Sequence, residues 1–406
     1  MMYEMEQGRG SGMVPLSLEA HHEPQASAAS EVENAPNSDG TVGQVRTSPS
    51  RRLTHFYTVS YLVFFSILGT LARLGLQALT AYPGTPIIFA SIWPNFAGSL
   101  VMGFLSEDRM LFRDMYPALN IHGEDSAGAK QARTILKKTI PLYIGLATGF
   151  CGSLTSFSAF MRDAFLALAN DLPSSLPSPS REQQPEPPPR SGGYSFLALL
   201  AVPVATVSLS LSALHLGAHL AAAFAPLTPT LPRALVRGLL DRLSLLLGWG
   251  CWLGAVLLTA VPPPGRAAWR GKVTFALVFA PLGCLARFYA SLWLNNWAPE
   301  FPLGTFVVNI AGTGVLALAW DLAHSRARGT DIAQGLIVGC QVLAGVQDGF
   351  CGCLTTVSTW VAELAALRRT QAYFYGTATL VSGFALAVAA MGGFRWSAAF
   401  EAAVCR

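Results

Sequence analysis

Read from one end to the other, the chain gathers its apolar residues into runs too long and too uniform to be the buried faces of a soluble domain. Nine such runs stand out, over 54–80, 86–105, 138–169, 194–224, 234–260, 272–294, 301–323, 331–367 and 371–393. A transmembrane helix needs roughly 20 mostly apolar residues to cross the hydrocarbon core, whereas the period-two alternation of a membrane barrel is missing. The two longest runs contain breaks or overhangs, so nine spans is the expectation and eight the alternative. The pattern predicts an all-α polytopic membrane protein. Ahead of the first run, residues 1–50 are rich in Ser, Glu, Gly and Pro with almost no aromatics, and a disordered tail is expected there. That stretch lacks the basic-then-apolar order of a cleavable leader, so the first span is expected to serve as a retained signal anchor.

The runs repeat. Leu68, Gly69, Leu71, Ala72 and Arg73 match Leu282, Gly283, Leu285, Ala286 and Arg287 at an offset of 214. The same offset carries Ser91, Asn95 and Gly98 onto Thr305, Asn309 and Gly312. Further along, GFCGSLTSFSAF (149–160) matches GFCGCLTTVSTW (349–360), seven of twelve positions being identical at an offset of 200. Three blocks in one order define two four-helix repeats. Between them lie a Pro/Ser-rich loop (171–193) and an apolar segment, 236–261, that has no counterpart in either copy. If that segment spans, four helices plus one force the second repeat into the opposite orientation, a recurrent plan among transport proteins. The resulting division is a tail (1–50), a first repeat (51–225), a linker with an inverting transmembrane helix (226–270), a second repeat (271–395) and a C-terminal tail (396–406).

Charge tests the orientation. Basic residues cluster before the first span (Arg51, Arg52) and in the 106–138 loop (Arg109, Arg113, Lys130, Arg133, Lys137, Lys138), which places the N-terminus in the cytoplasm by the positive-inside rule. Taken alone, the second copy prefers the same orientation, given Arg266, Arg270 and Lys272 before its first span. The linker helix has to override that preference.

Composition agrees with a membrane protein: 52% of residues are hydrophobic and 12% charged, about half the charge of an ordinary soluble domain. The net charge of +4 is spread among loops without a basic stripe, which speaks against nucleic acid as a partner. There is no Walker A run or other nucleotide motif. Of seven cysteines, Cys351 and Cys353 form a close pair, but no second pair or histidine nearby completes a metal set. No nucleophile–base arrangement points to an enzyme.

Three features of the repeat carry chemistry. Arg73 and Arg287 sit late in apolar spans, where an arginine marks a functional site or snorkels to the headgroups; a water-filled vestibule suits either. Asn95 and Asn309 follow a hydroxyl four residues earlier on one helix face, as pore-facing amides or as interhelical hydrogen bonds. Gly149, Gly152, Gly349 and Gly352, clustered with Thr and Ser, predict that the third helix of each repeat is broken inside the membrane, since Gly is a poor interior helix residue. Such a break survives only where it is buried in protein or lines a cavity. Phe157 and Phe160 then share one face; a ring edge carries partial positive charge, although such pairs are usually plain core.

These blocks resemble the Fluc/CrcB fluoride-channel family, and their duplication resembles its fused eukaryotic form, the FEX fluoride exporters. The resemblance covers roughly residues 54–393 and implies two inverted halves within one chain, a monomer acting as a pseudo-dimer in the lipid bilayer with pores along the interface. It implies pore-lining Asn95 and Asn309, vestibule Arg73 and Arg287, and a central structural Na+ held by backbone carbonyls at Gly152, Thr155, Gly352 and Thr355. An aromatic box falls on Phe157 and Phe160, a fourth-helix polar track among Ser208, Ser212 and Thr379, and an acidic residue after the box on Asp163 and Glu363. The second half departs from the pattern, with Val357 and Trp360 at the box positions. One pore then pairs Phe157 with Trp360, the other Phe160 with Val357, and the first is expected to conduct while the second is vestigial. The implied function is passive, selective F− export across the plasma membrane, against toxicity; a proton-coupled secondary transporter, with Asp163 or Glu363 titrating, is the alternative.

Overall fold

The computed structural model describes residues 50–82, 84–115, 127–172, 190–260, 268–325 and 333–398. The expected N-terminal tail and most of the Pro/Ser-rich loop and C-terminal tail lie outside these. Every described regular element is helical. Helix α1 (Arg51–Thr80) starts at Ser50, whose Oγ accepts from Leu53 N at 3.3 Å, an N-cap that meets one of the donors a helix start leaves unpaired. A turn with Gly84 at φ 81° follows, a conformation that glycine adopts at no steric cost.

Helix α2 (Ile92–Glu107) has 16 residues and starts later than the apolar run from 86, because Gly84 and Pro86 hold the chain out of helix. The charged loop after it contains a helix that the apolar pattern does not announce, α3 (Ala127–Lys137). The Lys137 ammonium donates to the carbonyls of Leu105 at 3.0 Å, Ser106 at 3.2 Å and Asp108, closing the C-terminal end of α2, where a cation also suits the helix dipole. Burial pushes Lys137 down to about 8.

The third crossing is broken, as the glycine cluster predicts. It runs from Pro141–Ile144 through π-helical turns over Gly145–Cys151 into Gly152–Leu154 (together α4), passes through extended Thr155, and resumes as α5 (Phe157–Ala169). Asn170 ends α5 in the left-handed conformation, φ 63°. Helix α6 (Gly192–Ala223) lies along α2 so closely that a Cβ at Gly103 would overlap the Leu214 carbonyl, and one at Gly217 the Leu100 carbonyl. Small residues permit such backbone approach between membrane helices.

The linker segment forms α7 (Leu235–Ala260), which packs against α1 and against the first helix of the second repeat, α8 (Ala268–Leu294). Trp249 Nε1 donates to Ser60 Oγ at 3.0 Å and Trp252 Nε1 to Val278 O at 2.9 Å, so one indole of α7 holds each repeat. The second repeat continues with α9 (Leu303–Ala323), a broken third crossing (α10: Ala333–Gly345, Val346–Cys351 and Gly352–Leu354; α11: Ser358–Ala366) and α12 (Arg369–Ala387, extended by Val388–Gly392 and Gly393–Ala398). Among the described residues, 7 helices are by length and composition able to cross a membrane, α7 among them. Four of these, α1, the broken α4–α5 crossing, α6 and α7, precede α8, and the 16-residue α2 is not among them.

The half-helices after the breaks exchange places. Helix α5 packs on α9 and α12 of the second repeat as well as on its own α6, and α11 packs on α2 and α6 of the first. Contacts that recur in swapped pairs are those of a two-fold interface, here within one chain.

Candidate functional site

The two breaks meet, and each is tied off by the other. Thr155 and Thr355 are both extended, with ψ of 149° and 153°. In each, the N–H still reaches back one turn, to Cys151 O at 3.1 Å and Cys351 O at 3.0 Å. Thr155 Oγ1 donates to Cys151 O at 3.0 Å and accepts from Val357 N at 3.2 Å and Ser358 N at 3.1 Å. It thereby caps the start of α11 in the opposite repeat. Thr355 Oγ1 donates to Cys351 O at 2.9 Å and accepts from Ser158 N at 3.1 Å, at the start of α5. Ser358 Oγ adds a bond to Cys151 O at 3.1 Å, and Ser158 Oγ one to Cys351 O at 3.4 Å. The backbone groups freed by both breaks are satisfied by hydroxyls, which is what such a break needs at membrane depth.

Asn95 and Asn309 hold the same breaks from the side. Asn95 Oδ1 accepts from Ser156 N at 2.9 Å and its Nδ2 donates to Ser156 O at 3.5 Å. Asn309 Oδ1 accepts from Thr356 N at 2.8 Å and its Nδ2 donates to Thr356 O at 3.2 Å. Each amide thus stands in for a neighbouring backbone strand, and both are buried.

Arg73 and Arg287, expected at vestibules, are each 2% exposed. Arg287 Nε donates to Cys353 O at 2.8 Å and its Nη2 to Thr148 O at 2.9 Å, bridging the two repeats. Arg73 Nη2 donates to Asp348 O, again across the repeats. A Cβ on Gly152 would overlap the Arg287 guanidinium, and one on Gly352 the Arg73 guanidinium. These glycines are therefore the floor on which the opposite arginines lie. Two fixed cations beside the crossing favour an anion in its neighbourhood.

The aromatic positions are buried together. Phe157 makes edge contacts with Phe160 (centroids 5.7 Å apart, 84°) and with Trp360 (5.6 Å, 70°). A Cβ on Gly383 of α12 would stand 2.8 Å from the Phe157 ring, so α12 backs this pair. Val357 is buried as well. The Trp360 Nε1–H has no hydrogen-bond partner among the described residues.

On the fourth helices, Thr379 is buried and its hydroxyl donates to Tyr375 O at 2.7 Å. Ser208 and Ser212 face outward on α6, whereas Thr206 and Ser210, one turn apart, are buried with hydroxyls that meet no partner among the described residues. The inward polar face of α6 is thus offset by two residues from the one the sequence suggests. Asp163 Oδ2 accepts from Ser91 N at 3.1 Å at the start of α2, and its Oδ1 pairs with Arg162 at 2.9 Å. Glu363 occupies the matching place at α9, accepting from Thr305 Oγ1 at 2.7 Å and from Tyr375 OH at 2.8 Å.

The acceptors at the crossing are neutral oxygens, hydroxyls and carbonyls, the atom type a hard cation such as Na+ takes, with the two guanidiniums lying next to them. A hydroxyl has one proton and two lone pairs, and on Thr155 all three are engaged. A Na+ here would be held through main-chain carbonyls of Gly152, Thr155, Gly352 and Thr355, not through threonine hydroxyls. Among the described residues no group of three or more His, Cys, Asp or Glu side chains is placed to hold a metal.

Comparison with known proteins agrees with the duplicated geometry. A family model described as CrcB-like protein, Camphor Resistance (CrcB), matches residues 60–176 and again residues 274–393. The chain is 58% identical over 383 residues to Fluoride export protein 1 of Neurospora crassa, covering 89% of this chain and 70% of that protein. It is 34% identical over 356 residues to Fluoride export protein 1 of Candida albicans, covering 86% and 82%. A 92-residue stretch is 37% identical to the fluoride-specific ion channel FluC of Geotalea uraniireducens, covering 22% of this chain and 67% of that protein. No solved structure matches the chain.

Proposed function

The chain belongs to the CrcB-like family, with the family domain present twice, and from that premise we propose that it is a fluoride channel whose two repeats together form the anion path. The observation that carries this reading is the reciprocal crossing of the breaks, set between two buried guanidiniums and beside a buried aromatic group. A relative 58% identical along most of the chain is named for fluoride export. The chain acts as a monomeric pseudo-dimer in the plasma membrane, with its N-terminus in the cytoplasm and a structural Na+ at the crossing.

Transport is passive. Fluoride enters from weakly acidic surroundings as HF, ionises at cytoplasmic pH and leaves down its electrochemical gradient, a negative-inside potential contributing ~2.3 kcal/mol per charge per 100 mV. Arg73 and Arg287 attract the anion, and the Phe157–Trp360 pair selects it in the conducting passage, while the passage with Phe160 and Val357 is vestigial. Purified protein in liposomes, with halide electrodes, tests the proposal: fluoride leaves in the presence of Na+ without a proton gradient, and chloride is retained. No fluoride release, or equal release of both halides, overturns it.

One observation favours proton-coupled transport as a second reading. Glu363 is half-buried and held by hydroxyls alone, whereas Asp163 has Arg162 at 2.9 Å. Fluoride efflux that stops when the proton gradient is collapsed selects that reading.

A further inference from the structure

The second repeat differs from the first at both aromatic positions, and at one of them the difference adds a chemical group. Where the first repeat has Phe160 the second has Trp360, whose side chain is fully buried. On α7 the chain provides for such a group: Trp249 and Trp252 both donate, at 3.0 and 2.9 Å. Trp360 Nε1–H meets no acceptor among the described residues. A buried indole ordinarily finds one, and leaving it unmade costs about 1–3 kcal/mol.

Among the described residues, the surroundings supply no acceptor. The indole Cζ2, on the same side of the ring system as Nε1, lies over Gly376 beside the apolar Leu364 side chain, 4.0 and 3.2 Å from where a Cβ on Gly376 would stand. Phe157 meets Trp360 edge-on, with centroids 5.6 Å apart. On α11 and α12 Glu363 accepts from Thr305 and Tyr375, and the Thr379 hydroxyl donates to Tyr375 O.

We propose that Trp360 Nε1–H is a direct hydrogen-bond donor to fluoride in the passage beside Phe157, and so a specificity-determining residue of this chain. The proposal rests on the channel reading above. A phenyl rim offers an anion only the weak positive edge of its quadrupole. An N–H offers a charge-assisted hydrogen bond, roughly twice as strong as a neutral one. Because Coulomb attraction scales inversely with distance, the donor gains more from compact fluoride than from chloride. A single donor also leaves the ion free to depart, as conduction requires.

Trp360→Phe keeps a ring and removes the donor. Expected are a fall in fluoride flux of about tenfold, equivalent to 1.4 kcal/mol, and a smaller fluoride-to-chloride ratio. In protein carrying 15N-labelled indoles in nanodiscs, the Trp360 N–H signal, assigned by its loss in the variant, is expected to move downfield with sodium fluoride and not with sodium chloride. Unchanged flux and selectivity in the variant, or a Trp360 signal indifferent to fluoride, overturns the donor role. If Trp360→Phe fails to fold, the parent spectrum decides by its whole set of indole signals: one that moves with sodium fluoride and not with sodium chloride supports the donor role, and none moving overturns it. Failure of the channel reading looks different, because the parent protein itself then releases no fluoride.

Discussion

The Arg287 guanidinium lies on Gly152 of the other repeat, and no side chain fits between them. The pairing holds two hydrogen-bond acceptors from different repeats, Cys353 O and Thr148 O, on one residue. Gly152→Ala is therefore expected to destabilise the protein by about 1–3 kcal/mol, the usual cost of overpacking a filled interior. Gly352→Ala acts in the same way through Arg73. Thermal unfolding in detergent measures it, and a variant as stable as the parent refutes the close packing.

Asn309 presents its amide to both main-chain groups of Thr356, at 2.8 and 3.2 Å. Asn309→Ala strands a buried N–H and a buried carbonyl, each costing about 1–3 kcal/mol. Fluoride efflux and melting temperature are expected to fall together. Loss of efflux at an unchanged melting temperature would instead assign Asn309 to the ion path alone.

Phe157 is the aromatic ring that touches both Phe160 and Trp360. Replacing it by Ile is expected to cut fluoride efflux by about tenfold or more, on the scale of removing a charge-assisted contact. Phe160→Ile, which changes the other passage, lowers efflux by less. The reverse ranking in the liposome assay assigns conduction to the passage with Val357.

Lys137 lies outside the spans and gives a pH dependence. The unfolded chain keeps its proton up to about 10.5, while the folded chain, where burial is the main cause, releases it near about 8. Between those values the unfolded state binds more protons, so stability rises with pH. The melting temperature of the parent should climb across this window relative to Lys137→Met, in which the slope is absent. Parallel curves would contradict the shift.

How far the sequence discloses all this depends on what each residue does to its own neighbourhood. Gly149, Gly152 and Thr155 signal the broken helix because they weaken helix locally, and the structure breaks there. Asn95 and Asn309 stand out because a buried amide in an apolar span requires a partner. The identity of a distant partner leaves no such mark: nothing near Arg73 in the chain points to Gly352. The inward face of α6 is hidden for another reason. That helix is apolar on nearly every side, so Ser208 and Ser212 are indistinguishable by pattern from Thr206 and Ser210, and only packing against α2 decides. Helix α3 escapes notice because its run is short and polar.

Helix α7, with one indole on each repeat, makes association of the halves a unimolecular event. Two separate subunits would come apart on dilution into a large membrane, whereas a tether holds them at an effective concentration set by its own geometry. The tether also ends an evolutionary obligation. In a homodimer any mutation appears at both equivalent positions at once. In this chain Phe160 and Trp360 are encoded separately, and one can be tuned while its counterpart stays as it was.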